Sequence, residues 1–300
     1  MNSRLTKAYR LGQYNFTCMP FSLLLLVAAT TPCLGQDNFC TDSPGTLFRW
    51  SSAACVSGGP DLDAPLVTDR PDFTEASSTV GIGVAQLEIG YTYIFDNDGT
   101  DQTIHHSYPE PLLRAGLIAD WLELRVGWNY ATELLNDVQT SGSEDLYLGF
   151  KIGLTPQAGI LPEMALIPQM NVPVGADPFS ANEVLPGLNW IYGWEVNQIV
   201  STAGSTQFNR AIDGVTTEAY TEWAQSWTVA YSLAERLGAY TEWFAFFPHS
   251  ADTAKPEYYF NGGFTVLLSD DVQWDIRAGL GINDAADDYF AGTGLSIRFY

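Results

Sequence analysis

The sequence predicts an all-β chain, a closed antiparallel up-and-down barrel of about twelve strands that crosses a membrane. Three observations predict it. Apolar and polar residues alternate with period two in run after run. Past the amino-terminal 35 residues, no stretch reaches the roughly 18 consecutive apolar residues a spanning helix needs. Short and long connections alternate between the runs, as a barrel with tight turns on one rim and longer loops on the other requires.

The amino terminus is an address. Arg4, Lys7 and Arg10 make a basic start with no acid in the first 35 residues, and a ten-residue apolar core follows from Phe21 to Thr30. That core is too short to span a bilayer as a helix. Small side chains at Cys33 and Gly35 place cleavage before Gln36, so residues 1–35 read as a signal peptide. Removing it leaves 10 basic residues against 35 acidic ones, a formal charge of −25. Export makes Cys40 and Cys55 candidates for one disulfide that closes a small loop.

Residues 36–82 then read as a periplasmic lead or plug, and 83–300 as the barrel. Pro60, Pro65 and Pro71, with acids at 61, 63, 69 and 72, suggest an extended, ordered course. Two placements are open: an extension below the barrel, or a plug folded into it. Arg70 is a candidate partner for a lumen carboxylate.

The first strand lies near 84–95, where Leu87, Ile89, Tyr91, Tyr93 and Phe95 alternate with Glu88, Gly90 and Thr92. The same pattern runs through 122–131 and 145–154, and further candidate strands lie at 109–118, 163–173 and 185–194. They continue at 197–206, 219–232, 237–247, 258–268, 272–281 and 288–299. Each span is close to the 9–11 residues of a tilted membrane strand. Two are weak. Pro168 and Pro173 remove ladder donors from the 163–173 run, and 197–206 is small and polar. The turns at 119–121, 195–196, 233–236 and 269–271 are short, and 155–162 is the one turn on that side that is not tight. The polar connections at 96–108, 132–144, 174–184, 207–218, 248–257 and 282–287 are expected to be long loops.

A soluble barrel would point its apolar face inward. Against it, charges fall in the middle of strands, and Trp121, Trp128, Tyr130, Trp190, Trp194, Trp223, Trp243 and Trp274 fit membrane-interface girdles. The partners expected are therefore outer-membrane lipid and a small-molecule solute. A formal charge of −22 argues against nucleic acid.

Projecting the polar face inward places Glu88, Glu123, Glu163, Glu222, Glu242 and Asp275 in the lumen, with Arg114, Arg125, Lys151, Arg277 and Arg298. The solute path assigned from this set is Glu88, Arg114, Glu123, Arg125, Lys151, Glu242, Asp275 and Arg277. One reading is a pore lined by both signs of charge. The other is an interior closed by salt bridges.

Several segments carry a family resemblance. They are Thr68-Asp69-Arg70-Pro71-Asp72-Phe73-Thr74-Glu75, Gln86-Leu87-Glu88-Ile89-Gly90-Tyr91, Ser143 to Lys151, Asn261 to Thr265, Asp275 to Gly281, and the closing Gly292 to Phe299. Together they resemble a family of outer-membrane transporters named for the MetA-pathway (meta-pathway) of phenol degradation. The likeness covers roughly residues 65–300, and it implies an outer-membrane barrel with traffic of aromatic compounds. One departure stands out: Phe299 holds the closing lipid-face register, and Tyr300 follows it.

No enzyme chemistry is expected, since the chain has no GxSxG elbow, phosphate-binding glycine loop or HExxH. No cofactor or metal is expected either. Asp96-Asn97-Asp98-Gly99-Thr100-Asp101 resembles half a calcium loop but lacks the distant glutamate, and Asp-Gly clusters are ordinary turn chemistry. His105 and His106 are expected in a solvated loop.

Overall fold

The computed structural model describes residues 45–48 and 59–300. The signal segment, Cys40 and Cys55 lie outside the described residues. Within them the chain forms fifteen strands and no helix. The first seven are β1 (Ala85–Asn97), β2 (Gln102–Tyr108), β3 (Leu112–Gly116), β4 (Leu122–Gly127), β5 (Tyr130–Leu135), β6 (Val138–Ser143) and β7 (Leu146–Thr155). Then come β8 (Glu163–Val172), β9 (Leu185–Glu195), β10 (Val200–Ile212) and β11 (Ala219–Ala234). The last four are β12 (Leu237–His249), β13 (Glu257–Ser269), β14 (Val272–Gly281) and β15 (Tyr289–Phe299).

Twelve of these close an antiparallel barrel. Neighbours follow one another from β1 through β3, β4 and β7 to β15, and β15 returns to β1 from Ala85↔Phe299 to Phe95↔Tyr289. Closure leaves none of these twelve at a sheet edge. Both ends of the barrel chain lie on one rim. Most turns on that rim are short, 156–162 being the longest of them, and the connections between barrel strands on the opposite rim run to six residues or more.

The other three strands correct two expected loops. Residues 96–108 and 132–144 continue the wall as β2, β5 and β6, so their polar composition is that of strands rising beyond the barrel. The physical reason for the break lies in Pro109-Glu110-Pro111. Two prolines have no N–H to give the ladder. Pairing moves from Glu88↔Leu112 to Thr92↔Ser107, with one extra residue on the proline side. The adjoining strands break at the same height, at Trp128-Asn129 and Glu144-Asp145. His105 and His106 therefore lie in β2, not in a solvated loop. The His105 ring is buried, and the exposed face carries His106 against the Tyr91 hydroxyl at 2.8 Å. The Asp96–Asp101 segment closes the β1–β2 turn, with the Thr100 and Asp101 amides donating to Asp98.

Pro168 sits in a wall strand after all. Between Gly149↔Gln169 and Ile152↔Leu166 the β7–β8 ladder skips its pairs, while β8 pairs β9 without a gap. The missing donor is absorbed on one side only.

The faces are inverted relative to a water-soluble protein. Glu88, Arg114, Lys151 and Asp275 are fully buried, while Trp190, Trp223, Trp227 and Phe264 stand exposed on the outside. Exposed Trp and Phe around a charged interior are stable only where hydrocarbon surrounds the wall. Among the described residues no helix is long and apolar enough to cross a membrane.

The lead runs without strand structure from the terminal rim into the barrel and back. The Leu66 amide donates to the Asp270 carbonyl at the rim (2.8 Å), and the chain turns through Pro71–Glu75. It leaves past Asp120, whose carboxylate takes the Ile82 amide at 3.0 Å.

On the far rim, Asp213 staples two loops. Its carboxylate accepts the amides of Val215, Thr216, Thr253 and Ala254 and the Thr253 hydroxyl, at 2.7 to 3.3 Å. Burial pushes this carboxyl up, but the bonds from Thr253, Val215 and Thr216 outweigh it and hold the group well below the usual carboxylate range. Its folded value is depressed, so its stabilisation is complete above the ordinary carboxylate value and fades as pH falls below it. Asp213→Ala should release both loops, at a cost of about 1.5–3 kcal/mol for the lost charge-assisted bonds. Limited proteolysis at pH 7 should show cleavage within 250–256 rising several-fold over wild type.

Candidate functional site

Alternation along β1, β3, β4 and β7 aims Glu88, Arg114, Glu123, Arg125 and Lys151 at one point inside the barrel. Asp69 of the lead meets them there. Lys151 Nζ lies 2.7 Å from Asp69 Oδ1, Arg114 Nε lies 3.2 Å from Oδ2, and the Arg125 guanidinium is also paired to this carboxylate. Arg114 reaches Glu123 at 2.8 Å and Glu88 at 3.1 Å, while Arg125 reaches Glu123 at 3.1 Å and pairs with Glu75. Three cations and their acids are thus buried together. Such a set is tolerable only when every member is paired and hydrogen-bonded.

The backbone of the lead completes the bonding. The Glu88 carboxylate accepts the amides of Asp69 and Arg70, both at 3.1 Å, and Glu123 accepts that of Val80 at 2.9 Å. At the turn, Glu242 accepts the amides of Phe73 and Thr74, each at 2.7 Å, together with the Thr74 hydroxyl. A chain with no ladder of its own thereby satisfies its buried N–H groups on barrel carboxylates. Arg70 pairs with Glu110 at 2.8 Å and Asp275 at 3.3 Å, and Arg277 donates to the Pro71 carbonyl at 2.9 Å.

All eight sequence-assigned lumen residues therefore touch the lead. Of the wider set, Glu163 accepts the Ser77 hydroxyl at 3.0 Å, and Arg298 holds Asp271 and the Ala64 carbonyl at the rim. Glu222 takes the Tyr220 hydroxyl at 3.1 Å. Sequence reasoning missed Asp69 as the hub, along with Thr74 and Glu75. The signal was the Thr68–Glu75 run itself, where acid and base are packed into a stretch with no strand periodicity.

Two further features seat the plug. Phe73 stacks on Phe244 with centroids 4.6 Å apart, meets Phe246 edge-on at 5.5 Å, and shares a buried cluster with Tyr259 and Phe290. Gly90 and Gly294 face each other across the β1–β15 pair, and a Cβ on either would run into the Arg70 guanidinium. Glycine at both positions makes the slot for that side chain.

On the far side of the plug from the chain ends lies a cavity of about 250 Å³. Phe73, Phe244, Phe290 and Ile94 form one wall, and Glu110, Asn129, Glu144 and Asp145 form another at the height of the strand breaks.

The family model described as "Putative MetA-pathway of phenol degradation" matches residues 68–299. The chain belongs to this family. The match begins at Thr68, so for this family member the plug run Thr68–Glu75 is inside the shared region along with the barrel. Several solved structures are similar, and the first of them shares the fold. The COG4313 outer membrane channel from Pseudomonas putida F1 superposes with a TM-score of 0.59 at 11% identity, over 77% of this chain and 99% of that one. The translocator domain of autotransporter NalP from Neisseria meningitidis gives 0.47 at 13% identity, over 73% and 89% of the two chains. The CymD monoaromatic hydrocarbon channel gives 0.41 at 8% identity, over 73% and 88%. A comparison with curated protein sequences finds no match.

Asp69→Ala strands Arg114, Arg125 and Lys151 with too little counter-charge. Breaking a buried pair in this way costs about 3–5 kcal/mol. The temperature at which the detergent-folded barrel shifts to its unfolded electrophoretic mobility should fall sharply. Asp271→Ala, whose carboxylate is half exposed at the rim, should barely move it.

Proposed function

We propose that this chain is an outer-membrane channel for small solutes, aromatic or hydrophobic ones among them. Glu88, Arg114, Glu123, Arg125, Lys151, Glu242, Asp275 and Arg277 line the path and hold its plug. The observation that carries this reading is the lumen cavity above the plug, with an aromatic wall facing a polar one. Such a mixed lining suits a small ring with a polar substituent. The family's name points to aromatic compounds, and the similar Pseudomonas putida structure is described as an outer membrane channel. On this reading the terminal rim faces the periplasm and residues 1–35 direct export.

Transport past the plug then requires the lead to shift. It is held by side-chain bonds and one aromatic anchor, without a β-ladder, so it is the part of the lumen that can move without opening the wall. One observation favours a second reading, a closed structural barrel: Asp69, Glu88 and Glu123 are all paired with cations in the lumen.

Planar-bilayer recording separates the two. Wild-type protein should give small discrete steps. The Asp69→Asn/Glu242→Gln double variant, which weakens both ends of the plug, should give steps at least about threefold larger. Silence from both proteins, each shown to be folded and inserted, would establish the closed barrel.

A further inference from the structure

We propose that the cavity above the plug is a binding site for small organic cations, specifically protonated one-ring amines. This rests on reading that cavity as part of the solute path, and it adds a charge preference that the path alone does not require.

The charge balance of the lining leads to it. Seven carboxylates and three guanidiniums face the cavity. Two of the guanidiniums are committed to carboxylates. Arg70 is held by Glu110 and Asp275 and Arg125 by Asp69, Glu75 and Glu123, while Arg277 donates to the Pro71 carbonyl and the Thr92 hydroxyl and keeps its Nε without a partner. Three of the carboxylates have no cation. Among the described residues Asp72, Glu144 and Asp145 form no ion pair. Glu144 accepts only the Asn129 amide group, at 2.9 Å, and Asp145 accepts the backbone amides of Gly175 and Ala181, at 3.0 and 2.9 Å. The cavity therefore presents surplus acceptors, three carboxylates without a cation against one guanidinium without an acid, and this balance favours a solute that brings N–H donors.

An independent feature points the same way. His105 lines this cavity, is 3% exposed, and its Nδ1 has no hydrogen-bond partner. Directly across the β2–β5 pair stands Glu133, 1% exposed, with Oε2 likewise unpartnered. Buried polar atoms are rarely left unpaired in a folded protein. Of the two, His105 sits at the edge of an open space, where its bare ring nitrogen matches a ligand that brings an N–H donor.

The opposite wall supplies the rest of the recognition. Phe73, Phe244 and Phe290 give the cavity an apolar wall against which a ring or an alkyl body can pack. A volume of about 250 Å³ suits a single ring with a short amine arm.

Three probes of nearly equal size test this by isothermal titration of the detergent-folded, full-length protein at pH 7: benzylammonium, benzyl alcohol and benzoate. Benzylammonium should bind at least about tenfold more tightly than benzyl alcohol, and benzoate should not bind. Glu144→Gln, checked for folding by its heat-shifted mobility, should weaken benzylammonium about tenfold and leave benzyl alcohol unchanged. Equal affinities for the amine and the alcohol, or no binding by any probe, would overturn the proposal, as would a Glu144→Gln variant that binds the amine like wild type. Binding is read without conductance, so a barrel silent in bilayers yet selective for the amine would sink the channel reading alone. A conducting barrel that ignores the charge of the probe would sink this one alone.

Discussion

The meeting of Asp69 with Arg114, Arg125 and Lys151 is the interaction on which the rest of this structure depends. A barrel that turns its apolar side chains outward must line its interior with what remains, and here that includes guanidiniums and an ammonium. Taken from water, each such charge costs several kcal/mol unless it is paired. The wall alone does not balance them, because its own acids are shared among several partners. The lead brings in Asp69 and Glu75 and makes the lumen electrically tolerable.

The dependence is mutual. The lead has no ladder of its own, so its buried amides need acceptors, and Glu88, Glu123 and Glu242 provide them at three heights. Phe73 at the turn enters an aromatic cluster, and Arg70 fills a slot made by two paired glycines. Charge, hydrogen bonding and shape all place the same short run. The plug is consequently specific in position while remaining free of the wall's hydrogen-bonded sheet. The space it leaves above Phe73 is bounded by rings on one side and by the carboxylates of the strand breaks on the other. Those breaks arise because Pro109 and Pro111 cannot donate to the ladder, so a backbone constraint shapes the chemistry of the cavity wall.

Much of the fold was legible because a barrel strand has two unlike faces, and period-two alternation records that directly. The strand near 84–95, the run at 145–154 and the closing segment at 288–299 all lie in the wall close to their expected bounds, while the 122–131 run breaks at Trp128-Asn129. The exceptions are physical. Residues 102–108 and 138–143 are polar because their strands rise beyond the apolar zone, so composition marked them as loops although their backbones pair. Pro168 looked unfit for a closed wall, but the loss of one donor is confined to one neighbour.

By itself the sequence determined the class of fold, the inward assignment of Glu88, Arg114, Glu123, Arg125, Lys151, Glu242, Asp275 and Arg277, and the availability of Arg70 for a lumen partner. Alternation reports which face a residue occupies, and that is local information. Only the tertiary structure decided that Asp69 is the hub, that Phe73 is the anchor, and that His105 is buried beside a cavity. These facts depend on which strands stand opposite one another across the lumen, and on how far an aperiodic segment reaches between them. Neither distance is written in any local pattern of residues.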